Sequence, residues 1–279
     1  MTGGTGFVGR HVLEKLKQNS GFDVVYTYLN PHIEKKGDNS YQMDFGSNEM
    51  AKLIEKIRPE VLIHCAWQGL PKRERDICAI NKSKSLILIR NFLKYGGQKI
   101  IALGSCLEYL EKEGAIYESA KKNLSDSFAK TKIELLEAIS QSKAEYSWIR
   151  PFYLFGLGQH QNSILMSAIR NLDNRTFNWL EKPYISNDYV YVENLAELIF
   201  EMVSNEIYVK EINCGRGELV SNIEFVNVIR KTLNYPEYKF DKKLQLRGLY
   251  SDNTLLRTHF SSFQYPSLAE SIKKIMQFR

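Results

Sequence analysis

The first nine residues commit the chain to a glycine-rich turn running straight into a helix: Met1-Thr2-Gly3-Gly4-Thr5-Gly6-Phe7-Val8-Gly9. Gly3 suits the tight turn that leaves a strand. Gly6 lets the backbone approach a pyrophosphate, and Gly9 lets the helix lie close on a sheet. The helix that follows presents backbone N–H groups and its positive dipole end to phosphates. Phe7, Val8, Val12, Leu13 and Leu16 recur near helical spacing as its apolar face. Such a turn follows a buried strand of about five or six residues, and here almost nothing precedes it. The first strand of a doubly wound sheet is central, so its absence would leave ladder groups on both neighbours unpaired. The expectation is that the natural start lies upstream, with Met1 at the strand's last positions. The alternative is an incomplete gene product.

The rest of the first half alternates strand and helix patterns. Strands are expected at Asp23–Tyr28, Glu60–His64, Lys99–Gly104 and Tyr146–Arg150, the last stopped by Pro151. Helices are expected at Ser47–Ile57, about Asn81–Tyr95 before Gly96-Gly97, and Ser125–Gln141 with Ser125 as cap. Alternation of this kind implies an α/β fold, a doubly wound parallel sheet with helices on both faces. After Pro151 the rhythm breaks. Phe155-Gly156-Leu157-Gly158 reads as loop, then Ser163–Asn171 as helix, Tyr189–Val192 as strand and Glu193 to about Ser204 as helix. Glu211–Cys214 reads as strand, Ile223–Leu233 as helix, Pro236 to Arg247 as irregular, and Ser251–Thr258 and Leu268–Met276 as terminal helices. The expected division is a dinucleotide-binding Rossmann domain at 1–155 with about 185–215, and a smaller α/β lobe from 156–184 and 216–279.

The net charge is +6, but basic residues come in scattered pairs such as Lys35-Lys36, Lys72-Arg73, Lys121-Lys122, Lys242-Lys243 and Lys273-Lys274. A nucleic-acid partner would need a concentrated stripe, so none is expected; an anionic small substrate fits better. The four cysteines, Cys65, Cys78, Cys106 and Cys214, show no paired metal spacing, and the five histidines are dispersed. No metal site is expected. Reduced cysteines suit a cytoplasmic location. No apolar run reaches the roughly 18 residues needed to cross a bilayer, so no membrane partner is expected.

Taken in order, these segments resemble the extended short-chain dehydrogenase/reductase family, the NAD-dependent epimerases, dehydratases and reductases of nucleotide-linked sugars. The stretch Thr2 to Gly9 is similar to the family's cofactor loop. Asp44-Phe45 resembles the aspartate segment beside the adenine, and His64-Cys65-Ala66 the stretch closing the third strand beside the cofactor. Asn81 fits the polar residue of the following helix. Gly104-Ser105-Cys106-Leu107-Glu108-Tyr109 is similar to the catalytic serine/threonine segment. Arg150-Pro151-Phe152-Tyr153-Leu154-Phe155-Gly156 and Asn187-Asp188-Tyr189-Val190-Tyr191-Val192 resemble two later family stretches. The resemblance implies cofactor contacts from Gly3, Thr5, Gly6, Phe7, Val8, Gly9, Asp44, Phe45, Cys65, Ala66, Asn81, Lys132 and Pro151. For substrate it implies Ser105, Cys106, Tyr109, Phe152, Asn162 and Ser163. Arg216, Arg170 and Arg247 are candidate phosphate partners because a guanidinium matches phosphate geometry, with a plain surface arginine the first alternative for each. It also implies a homodimer built on the helices around Asn81–Tyr95 and Ser125–Gln141.

The family's central pair is Tyr-x-x-x-Lys, whose spacing puts phenol and ammonium on one helical face. The ammonium lowers the phenol's pKa so that it trades a proton with a sugar oxygen near neutral pH. Here the segment is Phe128-Ala129-Lys130-Thr131-Lys132. Lys132 is in register, and the tyrosine position is Phe128, which has no proton to move. Loss of a positioned general acid costs ~10²–10⁴-fold in rate, so weak or no turnover is expected. The substitution is either introduced, or natural in an impaired homologue, or compensated elsewhere, with Tyr109 the nearest spare phenol.

Dehydratases of the family place Asp-Glu after the catalytic threonine. Here Cys106 and Leu107 stand there, and leucine transfers no proton, so 4,6-dehydration is disfavoured. Glu108 is expected to point elsewhere. Cys106 is read chiefly as packing, with an epimerising base as the alternative. The remaining chemistry is hydride transfer at a keto or hydroxyl carbon. The run Gly104-Ser105-Cys106-Leu107-Glu108-Tyr109 also resembles that of bacterial synthases that reduce nucleotide-linked 4-keto-6-deoxy sugars, and this resemblance implies such a reduction as the leading reading; 4-epimerisation with tightly held NAD is second, and a non-catalytic dinucleotide binder is third. The cofactor is NADP or NAD. No acid follows the second strand at Tyr28-Leu29-Asn30, where NAD enzymes often carry one, which tilts the choice slightly to NADP; no adjacent arginine is present either, and Lys35 and Lys36, within reach of a 2′-phosphate, are read first as solvated loop lysines.

Overall fold

Residues with buried side chains on both faces build the central strands, as a sheet covered by helices on both sides requires. Ile100, Ile101 and Ala102 are all buried, as are Trp148 and Ile149 beside them. The computed structural model describes residues 1–18, 21–30, 39–241 and 246–277. Lys35, Lys36, Lys242 and Lys243 lie outside the described residues. In chain order the elements are α1 (Phe7–Lys17), β1 (Tyr26–Tyr28), β2 (Ser40–Gln42), α2 (Asn48–Ile57), β3 (Val61–His64), α3 (Arg75–Lys94) and β4 (Lys99–Leu103). A short 3-10 turn (Cys106–Glu108) precedes β5 (Gly114–Ile116), α4 (Ser127–Ser140), β6 (Glu145–Pro151), β7 (Tyr153–Phe155) and α5 (Ile164–Arg170). Then come β8 (Ser186–Asn187), β9 (Tyr189–Tyr191), α6 (Val192–Ser204), β10 (Glu211–Cys214), β11 (Val220–Ser221), α7 (Asn222–Thr232), β12 (Leu249–Ser251), α8 (Thr254–His259) and α9 (Leu268–Gln277).

Two compact units divide the chain. The first comprises Met1–Leu110, Ala120–Arg150 and Leu195–Ile212, and the second Glu111–Ser119, Pro151–Asn194 and Asn213–Arg279. Beside the expected division at 155, the short Glu111–Ser119 piece and the whole run Pro151–Asn194 fall in the second unit.

In the first unit β3, β4 and β6 pair in parallel, with Ile63 opposite Ile101 and Ile101 opposite Ser147. β10 lies beyond β6, and β1 pairs in parallel with β2. Thr2 joins these two groups. It bridges Thr27 on one side and His64 on the other, both in parallel. The bonds are Thr2 N–H to the Ile63 carbonyl (3.0 Å), Thr27 N–H to Met1 (3.0 Å) and Gly4 N–H to Thr27 (3.0 Å). The position expected for a first strand is thus held by Met1 and Thr2, and the strand order reads β2, β1, Thr2, β3, β4, β6, β10. One face of the sheet is packed by Met50, Leu53 and Ile54 of α2, Leu88, Ile89 and Phe92 of α3, and Leu135, Leu136 and Ile139 of α4, against Leu62, Ile100 and Trp148. Burying each such side chain contributes roughly 1.5–3 kcal/mol.

Several expected boundaries move. α3 begins at Arg75 rather than near Asn81; its first turn sets exposed, charged Arg75 and Asp76 beside half-buried Ile77 and buried Cys78, too short an apolar signal to mark a start. Asp126, not Ser125, caps α4, its carboxylate accepting from Ala129 N–H at 2.8 Å. The Ser125 hydroxyl donates instead to Asn123 Oδ1 at 2.7 Å. Pro151 is the last residue of β6 rather than its stop, a terminal position where a missing N–H is tolerated. Phe155 closes β7, so the loop expected there starts later. Ser251 belongs to a strand, not to a helix, because β12 pairs with β5 and Ser251 N–H is taken by Asp188; the helix starts at Thr254.

In the second unit β7 pairs with β9, β8 with β11 and β5 with β12. Its core includes an aromatic group in which Tyr189 stacks on Phe225 with centroids 4.1 Å apart, and Phe155 meets the Phe225 edge at 5.0 Å.

Candidate functional site

In the first unit the candidate residues gather at the carboxyl ends of the strands. Thr2 leads into the glycine turn, β3 into Cys65-Ala66-Trp67, β4 into Gly104-Ser105, and α4 carries Phe128 and Lys132. Gly3 adopts φ +69°, and a Cβ there would stand 2.8 Å from Ala66 N. A Cβ on Gly9 would stand 1.9 Å from the Gly3 carbonyl oxygen. The turn therefore lies tight against both α1 and the end of β3. No side chain caps α1, whose N-cap is Gly6, so its amino end suits an anion. Arg10 donates to the Gly6 and Thr5 carbonyls at 3.2 and 3.1 Å. Phe7 and Val8 are half-buried on the first turn.

His64 is an anchor for this turn. Its Nδ1 lies 2.7 Å from Thr2 Oγ1 and its Nε2 2.8 Å from Ser85 Oγ. Burial, helped by the Lys132 charge, pushes its pKa down to about 3, so the ring is neutral. Cys65 beside it is pushed up to about 12 by burial and stays a thiol. Asp44 accepts Gly46 N–H at 2.9 Å and pairs with Lys84; Phe45 is buried. The Asn81 amide is used within the chain, clamping the Gln68 backbone N–H (2.9 Å) and carbonyl (3.0 Å).

Ser105 opens the 3-10 turn. Its hydroxyl oxygen accepts Leu107 N–H at 3.2 Å, and its own N–H donates to Glu108 at 2.7 Å. Glu108 points inward. Its buried carboxylate also takes Trp148 Nε1 (3.0 Å) and Arg150 Nε (2.7 Å). Arg150 continues to Glu211 at 2.6 Å, and Lys122 reaches the same Glu211 at 3.3 Å. Burial lifts Glu211, but Arg150 and Lys122 together hold it below the usual carboxylate range. Tyr109, expected toward substrate, is fully buried between these cations, its hydroxyl receiving Arg150 Nη1 at 3.4 Å. Cys106 is buried.

Phe128 is 4% exposed and meets the Trp67 ring edge-on at 5.7 Å. Lys132 is 6% exposed. Its ammonium donates to the Leu103 carbonyl at 2.8 Å and lies 3.6 Å above the centroid of Trp67. Burial lowers its pKa to about 7, against the pull of Glu108. Trp67 and the Glu108–Arg150 pair are site features that reading the sequence missed. Glu108 stands in a Ser-x-x-Glu capping spacing, which is a local signal; nothing local marks Trp67.

In the second unit Asp188 is the organising residue. It is buried and accepts N–H bonds from Arg216 (2.8 Å), Gly217 (3.0 Å) and Ser251 (3.0 Å). Burial raises its pKa to about 6 despite those donors. The Arg216 side chain pairs with Glu218 and donates to the Pro266 carbonyl. Arg216 and Arg257 line a pocket of about 210 Å³ with Ser251, Asp252, Asn253 and Thr254. Phe152 is buried, its N–H on the Cys214 carbonyl. Ser163 caps α5 through Met166 N–H, while Asn162 and His160 are exposed. Arg170 binds the Gln161 carbonyl and Ser167, and Arg247 is exposed. Among the described residues no three His, Cys, Asp or Glu side chains gather as metal ligands, and no helix is long and apolar enough to cross a membrane.

A parallel sheet of this order, with a glycine turn delivering its first extended segment onto an uncapped helix, defines a Rossmann-type α/β protein. The chain belongs to the NAD dependent epimerase/dehydratase family, whose sequence pattern matches residues 1–215. No curated protein matches it by sequence. Solved structures share the fold at low identity. The UDP-glucose 4-epimerase of Thermotoga maritima, solved with UDP-glucose, superposes with a TM-score of 0.81 at 21% identity, covering 99% of this chain and 96% of that one. The Bordetella bronchiseptica enzyme WbmH, in complex with NAD⁺, gives 0.84 at 16%, covering 99% and 96%. The UDP-glucuronic acid 4-epimerase of Bacillus cereus, with UDP-glucuronic acid and NAD, gives 0.80 at 17%, covering 99% and 97%.

Proposed function

We propose that this chain binds a pyridine dinucleotide and exchanges a hydride with a nucleotide-linked sugar, with reduction of a 4-keto-6-deoxy sugar as the leading reaction. The observation that carries the reading is the glycine turn, in which Gly3 against Ala66 and Gly9 against Gly3 leave no room for side chains and α1 has an uncapped amino end. The residues present fit the phosphates of NAD or NADP there; the missing acid after β1 favours NADP. When bound, the dinucleotide supplies the hydride. Ser105 holds the substrate oxygen through its hydroxyl proton, which its bond from Leu107 N–H leaves available. Lys132 holds the ribose beside the nicotinamide. Phe128 contributes no proton, so the proton needed on the reduced oxygen comes slowly, from water. The nucleotide diphosphate is assigned to Asn162, Ser163 and Arg216, and the enzyme to a cytoplasmic homodimer.

The test is NADPH consumption with thymidine-, cytidine-, uridine- and guanosine-linked 4-keto-6-deoxy sugars, in the protein as it stands and in Phe128→Tyr. The variant is expected to be ~10²-fold or more faster. No turnover by either, with any of these sugars, overturns the reductase reading. A 4-epimerase is the second reading, supported by 4-epimerases among the similar folds; NAD retained through gel filtration selects it. Tight binding of dinucleotide and sugar without turnover in Phe128→Tyr selects a non-catalytic role.

A further inference from the structure

Lys132 is the buried cation at the floor of the candidate site, and its environment is aromatic on more than one side. The Trp67 centroid lies 3.6 Å from the ammonium, with Phe128 and Trp148 each at 5.9 Å. One of its donors goes to the Leu103 carbonyl. A cation this close to an indole face, out of water, is held by the ring's quadrupole. The indole itself is less settled. Trp67 Nε1 is buried and has no hydrogen-bond partner among the described residues, an arrangement that costs free energy in the closed position. The ring is held where it is by the ammonium, by Phe128 and by packing on the core of the sheet, not by its own N–H.

We propose that Trp67 is a self-inhibitory lid on Lys132: its indole occupies the ammonium face that a dinucleotide's ribose hydroxyls require, and the two compete for it. The inference rests on the reading above that a dinucleotide binds at the glycine turn. Competition of this kind weakens the apparent affinity of any ligand that must reach Lys132. It leaves untouched a ligand that reaches only the turn at α1. Trp67 then sets how tightly the dinucleotide is held, and Phe128 contributes by bracing the ring.

The experiment is calorimetric titration of the protein, Trp67→Ala and Trp67→Leu with NADP⁺, NAD⁺ and ADP, the last reaching the turn but not Lys132. Titrations are run at about pH 6, below the Lys132 midpoint, where the amine is charged. Trp67→Ala is expected to bind the better dinucleotide about ten- to thirtyfold more tightly, the worth of a desolvated cation–π contact, with ADP unchanged. Trp67→Leu keeps bulk without the π face and is expected to show a smaller gain in the same direction. It also reads the effect if the alanine variant fails to fold. A dinucleotide affinity that is unchanged or weaker in these variants, with ADP binding intact, overturns the lid while leaving the binding reading in place. If neither ADP nor a dinucleotide binds any of the proteins, the binding reading falls and the lid with it.

Discussion

Replacing Glu108 with glutamine tests the buried charge network that shapes the Ser105 turn. The carboxylate takes Ser105 N–H at 2.7 Å, Trp148 Nε1 at 3.0 Å and Arg150 Nε at 2.7 Å, and both partners of the ion pair have side chains that are 0% exposed. An amide has one accepting oxygen. If that oxygen serves Arg150, the NH₂ group confronts the Ser105 N–H; if it serves Ser105, the NH₂ group confronts the guanidinium. Either way a charge-assisted bond is lost and two buried donors oppose each other. Arg150 keeps Glu211, but that carboxylate is one-third exposed and shared with Lys122. Breaking one partner out of a buried pair costs roughly 3–5 kcal/mol, a large part of the 5–15 kcal/mol that holds a typical protein folded. The assay is urea denaturation followed by tryptophan emission, in a cycle with Arg150→Met and the double variant. Glu108→Gln is expected to lose at least about 3 kcal/mol, and the double variant to fall short of the sum of the singles by about 2 kcal/mol or more. A single-variant loss under about 1 kcal/mol, or strict additivity, refutes the account.

Gly9→Ala should lower stability by at least about 2 kcal/mol and abolish ADP binding, because its Cβ would meet the backbone oxygen of Gly3, which cannot swing away; a variant that melts and binds like the parent contradicts this. Asp188 titrates near 6 when folded and near 3.9 unfolded. The folded state holds this proton longer, so its contribution falls by about 3 kcal/mol as pH rises from about 4 to 6 and is flat above. A carboxyl resonance for Asp188 with a midpoint below 4 would exclude that. Lys132 runs the other way. It loses its proton near 7 when folded and near 10.4 unfolded, so stability should rise with pH between about 7 and 10. Lys132→Met should remove that rise in denaturation midpoints; persistence of the full rise counts against the assignment.

The sequence alone determined the features whose signals are local. The glycine turn, the first helix, the alternation of strands and helices, and the register of Phe128 four residues before Lys132 were all legible, because spacing along a chain dictates turn geometry and helix faces directly. The strand segments Lys99–Leu103 and Glu211–Cys214 and the helix Leu268–Gln277 stand almost where periodicity put them. The exposed, charged pair Arg75-Asp76 hid the start of α3, and an Asn123 side chain moved the cap of α4 by one residue. Only the tertiary structure decided what faces what. Glu108 meets Arg150 because parallel strands β4 and β6 are neighbours, and Trp67 covers Lys132 because the end of β3 comes beside α4, although the two residues stand 65 positions apart in the chain. Burial then set the charges: the same lysine or aspartate is ordinary in water, and its proton affinity moves only once packing has taken the water away.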